Sequence, residues 1–332
     1  MRPMSKFLVT GVAGFIAAKV AEQLVRRGDQ VVGVDNLCDS YDVRLKQWRL
    51  NQLLALPGME FHLVDVADLS ALRPLFQQKA SLGERPFDGV INLAARAGVR
   101  DSVVDPWSFF NTNAMGTLNL LELCREFGIP KFVLASTSSL YGAHNPQPFR
   151  EDANTDVLLS PYAASKKAAE ALCSTYHHLH GIDVTVFRYF TVYGPAGRPD
   201  MAPFRFIKWI SEGETLTLYG DGTQQRDFTY VDDIARGTVA GLKPLGYQVI
   251  NLGTERTVAL MDFIGLIEKL VGRKAQIQRE PRHPADMMVT WADTTKAREV
   301  LGWQASTAVE EGLEKAVAWY MENRHWAREV KL

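Results

Sequence analysis

The sequence predicts a doubly wound α/β fold: a parallel sheet covered by helices on both faces, with a smaller, discontinuous C-terminal unit. Three observations carry this expectation. Short β-branched or apolar runs alternate with longer amphipathic segments, the pattern of strands joined by crossover helices. Three helical segments stop at a glycine standing where a C′ residue would, Gly28, Gly128 and Gly181. A glycine-spaced turn, Thr10-Gly11-Val-Ala-Gly14, separates the first run from the first helix, at the strand end where such sheets bind ligands.

The predicted strands cover residues 7–9, 31–34, 61–64, 90–93, 132–134, 184–187 and 249–252, and the first predicted helices cover 14–27, 107–127 and 161–180. After residue 193 the texture changes. Gly194-Pro-Ala-Gly-Arg-Pro199 reads as a loop, and Leu216-Thr-Leu-Tyr-Gly-Asp-Gly222 as a strand running into a turn. Helical patterns return at 231–242 and 261–271, with the apolar run 249–252 between them suited to the first sheet. The boundary is therefore discontinuous: one unit spans 1–193 plus about 230–253, the other about 194–229 plus 254–332. A last amphipathic helix, 307–323, carries Trp319 and Tyr320 as core residues.

Composition narrows the function classes. The 332 residues are 46% hydrophobic and 23% charged, which fits a soluble globular protein and excludes disordered, collagen-like and coiled-coil classes. Lys+Arg 37 against Asp+Glu 38 leaves a formal charge of −1, so no bulk field draws nucleic acid or an anionic membrane; any anion site is local. Cys38, Cys124 and Cys173 form no C-x-x-C pair and suggest reduced thiols in a cytoplasmic protein. The N-terminal apolar run falls short of the ~7–15 residues of a signal-peptide core. No stretch approaches the ~18–20 apolar residues of a membrane span.

The turn at Gly11 and Gly14 opens a helix and is followed about 20 residues on by Asp35, at the end of the second predicted strand, as in dinucleotide sites. Glycines there let backbone approach a pyrophosphate, and the helix N-terminus supplies N–H donors. Asp35 suits a ribose diol and repels a 2′-phosphate, favouring NAD over NADP; the structural alternative is a helix N-cap. Asp65 suits an adenine amino group or, equally, a turn. Ala94-Ala-Arg-Ala97 offers small side chains where a flat cofactor passes close to backbone.

Tyr162-Ala-Ala-Ser-Lys166 starts a predicted helix just after Pro161, so the phenol and the ammonium share one face. Moving a phenol from pKa ~10 to ~7 takes about 4 kcal/mol, which two cations in a dry cleft, Lys166 and an oxidised nicotinamide, can supply. Ser136, Thr137, Ser138 and Ser139 end the fifth predicted strand, where their hydroxyls suit a hydroxylated substrate. His177-His178-x-His180 lacks an acidic or Cys partner at ligand spacing, and no metal site is predicted.

Together with Tyr141-Gly142, Arg188-Tyr-Phe-Thr-Val-Tyr-Gly194-Pro and Arg226-Asp-Phe-Thr-Tyr-Val-Asp-Asp233, these motifs resemble the extended short-chain dehydrogenase/reductase superfamily over nearly the whole chain. The resemblance implies a Rossmann-type first unit that binds NAD, a second unit that binds a nucleotide sugar, and a homodimer joined through two helices per subunit. Dehydratases of this kind carry Asp-Glu where Ser138 and Ser139 stand, and decarboxylases carry Glu at the Ser139 position; this chain has neither. Thr191 replaces the Asn usual in hexose 4-epimerases. The stretch from Thr191 through Phe204 is similar to UDP-glucuronate 4-epimerases, as are Asp42-Val-Arg-Leu-Lys46 and Ala97-Gly-Val-Arg100.

Carried over position by position, the resemblance implies that Tyr162 removes the proton of the sugar 4-hydroxyl, that Thr137 bridges the two, and that Lys166 holds the nicotinamide ribose and lowers the Tyr162 pKa. It implies cofactor contacts from Gly11, Gly14, Phe15, Ile16, Asp35, Asn36, Asp65, Val66, Ala94, Ala95, Lys166, Tyr189 and Val192. Ser138, Ser139 and Thr191 would hold the sugar carboxylate; Arg198 and Arg226 would meet uridine and diphosphate, with Phe204, Tyr219 and Arg282 as further substrate contacts. Two departures stand out: Ala17 where Gly is common, and Pro281-Arg-His-Pro-Ala-Asp286 in place of a Pro-Gly-Asp pattern. The expected activity is epimerisation of UDP-glucuronate at C4. The alternatives are a UDP-hexose 4-epimerase and a non-catalytic cofactor-binding regulator.

Overall fold

A computed structural model describes residues 4–80, 85–282 and 286–332. Its main sheet has seven parallel strands: β1 (Lys6–Thr10), β2 (Gln30–Asp35), β3 (Met59–Leu63), β4 (Gly89–Asn92), β5 (Lys131–Thr137), β6 (Asp183–Tyr189) and β7 (Tyr247–Leu252). Their spatial order is β7-β6-β5-β4-β1-β2-β3, so the winding reverses between β1 and β4 and opens a crevice at the carboxyl ends of those strands. Every predicted strand of the first unit is present, and the run at 249–252 joins β6 in register, Ile250 opposite Phe187.

Alternation along the strands builds two cores. Phe7, Val9, Val31, Ile91, Val133 and Phe187 face α1 (Phe15–Arg26) and a later helix, Val231–Ala240; Leu8, Val32, Val90, Phe132, Leu134 and Val186 face the other way. That second face is covered by helices Leu69–Lys79, Gly116–Glu126 and Pro161–His180. Each of these strand side chains is at most 5% exposed, so the central strands are dry on both faces, whereas the edge strand β3 is only partly covered.

The sequence missed α2 (Val43–Leu54) because its buried side includes Lys46 and Arg49, which read as surface residues. It also missed the helix Leu69–Lys79, which carries Pro74 in its interior, a residue that in sequence argues against a helix. The segment read as one helix over 107–127 is broken: Pro106–Phe110 passes through a π turn, Asn111–Met115, before Gly116–Glu126 begins. The wider turn points Asn113 inward, where its amide bonds both to the Arg96 backbone (2.9 Å) and to Ser165 Oγ (2.9 Å). This clamps the loop after β4 to the helix that carries Tyr162.

A third apolar cluster lies outside the sheet and includes Tyr193, Phe204, Trp209, Leu218, Phe228, Phe263, Trp319 and Tyr320. Trp319 and Tyr320 are core residues, as their spacing predicted. Short strands edge this cluster: Thr215–Tyr219 pairs with Gln276–Glu280, Thr191–Tyr193 with Phe228–Tyr230, and Gln225–Arg226 with both Val258–Ala259 and Val289–Thr290. Among the described residues no helix is long and apolar enough to cross a membrane.

Candidate active site

The phosphate turn is built from close backbone contact. Gly11 takes φ +66°, and a Cβ there would sit 2.8 Å from Ala94 Cα; the Gly14 N–H closes the turn on Gly11 O at 2.7 Å. Thr10 fixes the neighbouring strand end, its hydroxyl donating to Asn92 Oδ1 (2.7 Å) and accepting from the N–H groups of Leu93 and Ala94. The N-cap of α1 is Gly14, which has no side chain to satisfy the first N–H groups of the helix. An anion would satisfy them.

Asp35, at the end of β2, is not a helix cap; that place before α2 belongs to Asp42. Its Oδ1 accepts from Leu37 N (2.8 Å), its Oδ2 from Ala13 N (3.1 Å), and Lys46 Nζ stands 3.8 Å away. Asp65 divides its oxygens. One forms a turn with Ala67 N (2.8 Å), and the other takes Asn36 Nδ2 (2.8 Å).

Tyr162 and Lys166 occupy the first turns of the helix Pro161–His180, whose N-cap Ser160 accepts from Ala163 N. Both side chains are buried. Burial pushes the Tyr162 phenol above its ordinary value, against the pull of the Thr137 hydroxyl and the charge of Arg198. Burial also brings the Lys166 ammonium down to about 8, opposed by the carboxylate of Glu170 one turn on. Lys166 Nζ donates to Ala135 O at 2.9 Å. In the chain by itself the Thr137 hydroxyl and the Arg198 charge pull the phenol down, and burial outweighs them.

Beneath this pair lies a buried ionic network. Arg188 donates to both oxygens of Glu170 (2.8 and 3.1 Å) and to Tyr141 OH (3.2 Å), which in turn bonds Asn251 Oδ1 (2.6 Å). Ser136 also donates its hydroxyl to Glu170, and with Thr137, Ser138 and Ser139 it lines the smaller of two cavities above.

Two cavities meet above these residues. The first, about 340 Å³, is lined by every residue expected to touch the cofactor, from Gly11 and Asp35 at one end to Tyr189 and Val192 at the other, and by Thr137, Tyr162 and Lys166. The second, about 1100 Å³, extends to Tyr219 and Arg226. Ser138, Ser139 and Thr191 line both, so the three hydroxyls mark the junction.

Three expected substrate contacts are placed differently. Arg198 lines the small cavity, its Nη2 donating to Ala97 O at 2.8 Å beside an ion pair with Asp200, and does not line the large one that Arg226 lines. Phe204 is buried in the third cluster against Trp319 and Tyr320 and lines neither of the two cavities. Arg282 is exposed, outside both linings, and donates to Asp286 O.

Other residues in these cavities escaped sequence reasoning. Tyr41 lines both, and Lys46 lines the first beside Asp35. Arg100 stacks on Tyr219 (3.9 Å to the ring centroid) and pairs with Asp286, and Arg205 has a buried Nε without a protein partner among the described residues. The Asp42-Val-Arg-Leu-Lys46 and Ala97-Gly-Val-Arg100 motifs were signals for Lys46 and Arg100; an isolated basic residue in a helix gave none for Arg205.

The reversed winding, the Gly11 turn and a Tyr-x-x-x-Lys pair over the crevice together define a short-chain dehydrogenase/reductase. Residues 8–316 match the family described as GDP-mannose 4,6 dehydratase, and the chain belongs to this NAD-dependent epimerase/dehydratase family. It is 52% identical over 330 residues, 99% of this chain and all of the relative, to a UDP-glucuronate 4-epimerase of Thermodesulfobacterium geofontis. It is similar to the solved Bacillus cereus UDP-glucuronic acid 4-epimerase in complex with UDP-glucuronic acid and NAD, with TM-score 0.88, 37% identity and coverage of 96% of this chain and 99% of that one. A Thermotoga maritima UDP-glucose 4-epimerase with UDP-glucose matches at TM-score 0.87 and 30% identity, again covering 96% and 99%.

Proposed function

We propose that the chain catalyses NAD-dependent inversion at C4 of a UDP-sugar, converting UDP-glucuronate to UDP-galacturonate without loss of carbon dioxide. One observation carries this reading. The cavity junction beside Tyr162 presents three neutral hydroxyls, Ser138, Ser139 and Thr191, with the Arg198 guanidinium lining the same cavity, where an eliminating enzyme would need carboxyl groups.

The fit to NAD rests on the Gly11 cradle, which a Cβ would fill, the open N-terminus of α1, and a carboxylate, Asp35, suited to a ribose diol. When bound, NAD supplies the hydride acceptor and then the donor. Tyr162 takes the proton of the 4-hydroxyl through Thr137 and returns it after the face of the sugar has changed, so configuration inverts with no net redox change. Lys166 orients the nicotinamide ribose. Arg226 holds the diphosphate while the keto sugar turns at the junction. We assign the cofactor to residues 1–193 plus about 230–253, and the nucleotide sugar to about 194–229 plus 254–332.

A 4-ketone lies β to the C5 carboxylate, which favours decarboxylation when the breaking bond stands perpendicular to the keto plane. Hydrogen bonds from the three hydroxyls and the charge of Arg198 hold the carboxylate near that plane. Proton NMR of UDP-glucuronate with protein and NAD tests the reading: UDP-galacturonate appears, without UDP-pentose. Thr191→Ala and Arg198→Met are expected to raise the share of decarboxylated product severalfold. Turnover of UDP-glucose in place of UDP-glucuronate would transfer the assignment to hexoses, and NAD binding without turnover of either would leave a regulator.

We infer a cytoplasmic homodimer. Free thiols at all three cysteines support the compartment. Val104 and Trp107, 87% and 83% exposed, form with Val103 and Phe110 an apolar patch on the helices Asp101–Val104 and Pro106–Phe110. Sedimentation is expected to give twice the 37.1 kDa chain mass, and Trp107→Glu the chain mass alone.

A further inference from the structure

Arg49, on α2, lines neither cavity and is 4% exposed. Among the described residues it has no carboxylate partner. Its donors go to three carbonyls and a phenol instead. Nε and Nη2 both reach Ala196 O (3.0 and 2.8 Å), Nη2 also reaches Gly197 O (3.1 Å), and Nη1 reaches Ala13 O (3.0 Å) and Tyr41 OH (2.8 Å). A guanidinium has five N–H groups in a rigid plane, and here each has an acceptor.

The carbonyl acceptors belong to two segments far apart in sequence. Ala13 sits in the phosphate turn, and its N–H already donates to Asp35 Oδ2 at 3.1 Å. Ala196 and Gly197 immediately precede Arg198. Ala196 takes φ +50°, a left-handed conformation unfavourable for a residue with a Cβ, and two N–H groups of Arg49 grip its carbonyl. A continuous path of hydrogen bonds and backbone thus runs from Asp35 through the Ala13 peptide and Arg49 to Arg198, joining the cofactor end of the small cavity to the substrate end.

We propose that Arg49 is a positioning residue that couples cofactor binding to nucleotide-sugar binding, by tying the Ala13 peptide to the Ala196–Gly197 peptides that set Arg198. This rests on the proposed function, in which Arg198 meets the sugar. A dinucleotide that fixes the turn at Gly11–Gly14 fixes the Ala13 carbonyl, and Arg49 passes that constraint to the loop. Linkage makes the effect reciprocal, so the nucleotide sugar also tightens NAD.

Calorimetric titration of UDP-glucuronate with and without saturating NAD, in a Tyr162→Phe background that suppresses turnover, measures the coupling. The parent is expected to gain about tenfold in affinity from NAD, and Arg49→Met to gain less than about twofold. Arg49→Lys, which keeps the charge on a compact ammonium without the planar fork, falls between. With Tyr162 intact, Arg49→Met raises KM for UDP-glucuronate about tenfold while kcat stays within about threefold. A purely structural role would lower the melting temperature and weaken both ligands in parallel, leaving the ratio unchanged. That result overturns the proposal, as does a parent in which NAD has no effect. Should Arg49→Met not fold, a ratio for Arg49→Lys equal to the parent's overturns it and a reduced ratio supports it. A parent that binds NAD but no UDP-glucuronate removes the proposed function and this coupling with it, an outcome distinct from lost coupling with both ligands bound.

Discussion

Tyr162→Phe is expected to leave a protein that folds and binds both NAD and UDP-glucuronate, yet turns over about 10²- to 10⁴-fold more slowly, the range for removal of an acid–base group. The ring is buried at the first turn of its helix and packs edge-on to Phe109 (6.1 Å between centroids), so Phe fills the same space. Only the hydroxyl is lost. Stopped-flow or NMR rates at saturating substrate check the loss, and titration checks that binding survives.

The pH profile carries the sign. A base must be deprotonated to act, so kcat/KM of the intact enzyme rises with pH through the apparent pKa of the phenol. Burial alone holds that phenol above its ordinary value. In the proposed reading the positive charges of a bound oxidised nicotinamide and of Lys166 bring it down, by up to about 4 kcal/mol for a shift from ~10 to ~7. Lys166→Met removes one of them, and the rising limb moves to higher pH. A limb that stays in place would show that Lys166 only holds the ribose.

Gly11→Ala is the second large effect: NAD affinity falls by about 100-fold or more, measured by fluorescence titration. The added methyl meets Ala94 Cα and N at 2.8 and 2.9 Å, and both are backbone atoms fixed through Thr10. The φ of +66° costs a further ~1–2 kcal/mol in an L-residue, so either the turn or the strand end must move. Gly128→Ala is the control. It also has positive φ, but open space around it, so it loses about 1 kcal/mol of stability and no cofactor affinity.

Sequence patterning located all seven strands of the sheet, because buried central strands leave short apolar runs and even the part-exposed edge strand β3 keeps Phe61 and Leu63 beside Val64. It located Gly11, Tyr162 and Lys166 because their spacing is itself the chemistry. It failed where a side chain's partner lies far along the chain. Arg49 and Lys46 look like solvated helix residues until Ala196 and Asp35 are seen beside them. Ser136 is one hydroxyl of four in sequence, and only the proximity of Glu170 separates it from its neighbours. Phe204 was expected as a substrate contact, and its packing partner Trp319 lies more than a hundred residues later in the chain. The π turn at Asn113 leaves no trace in an apolar pattern that simply continues through it.

The late position of β7 bears on how the chain is made. β6 is complete at Tyr189, but the strand that covers its open edge, β7, begins only at Tyr247, after the chain has built much of the third cluster. During synthesis the ribosome therefore releases a nearly finished sheet with a bare row of backbone donors and acceptors along Val184, Val186 and Arg188, a template for pairing with another nascent chain. Codon tempo and chaperone capture between residues 189 and 252 consequently weigh more on the yield of native protein than they do over the first half of the sheet.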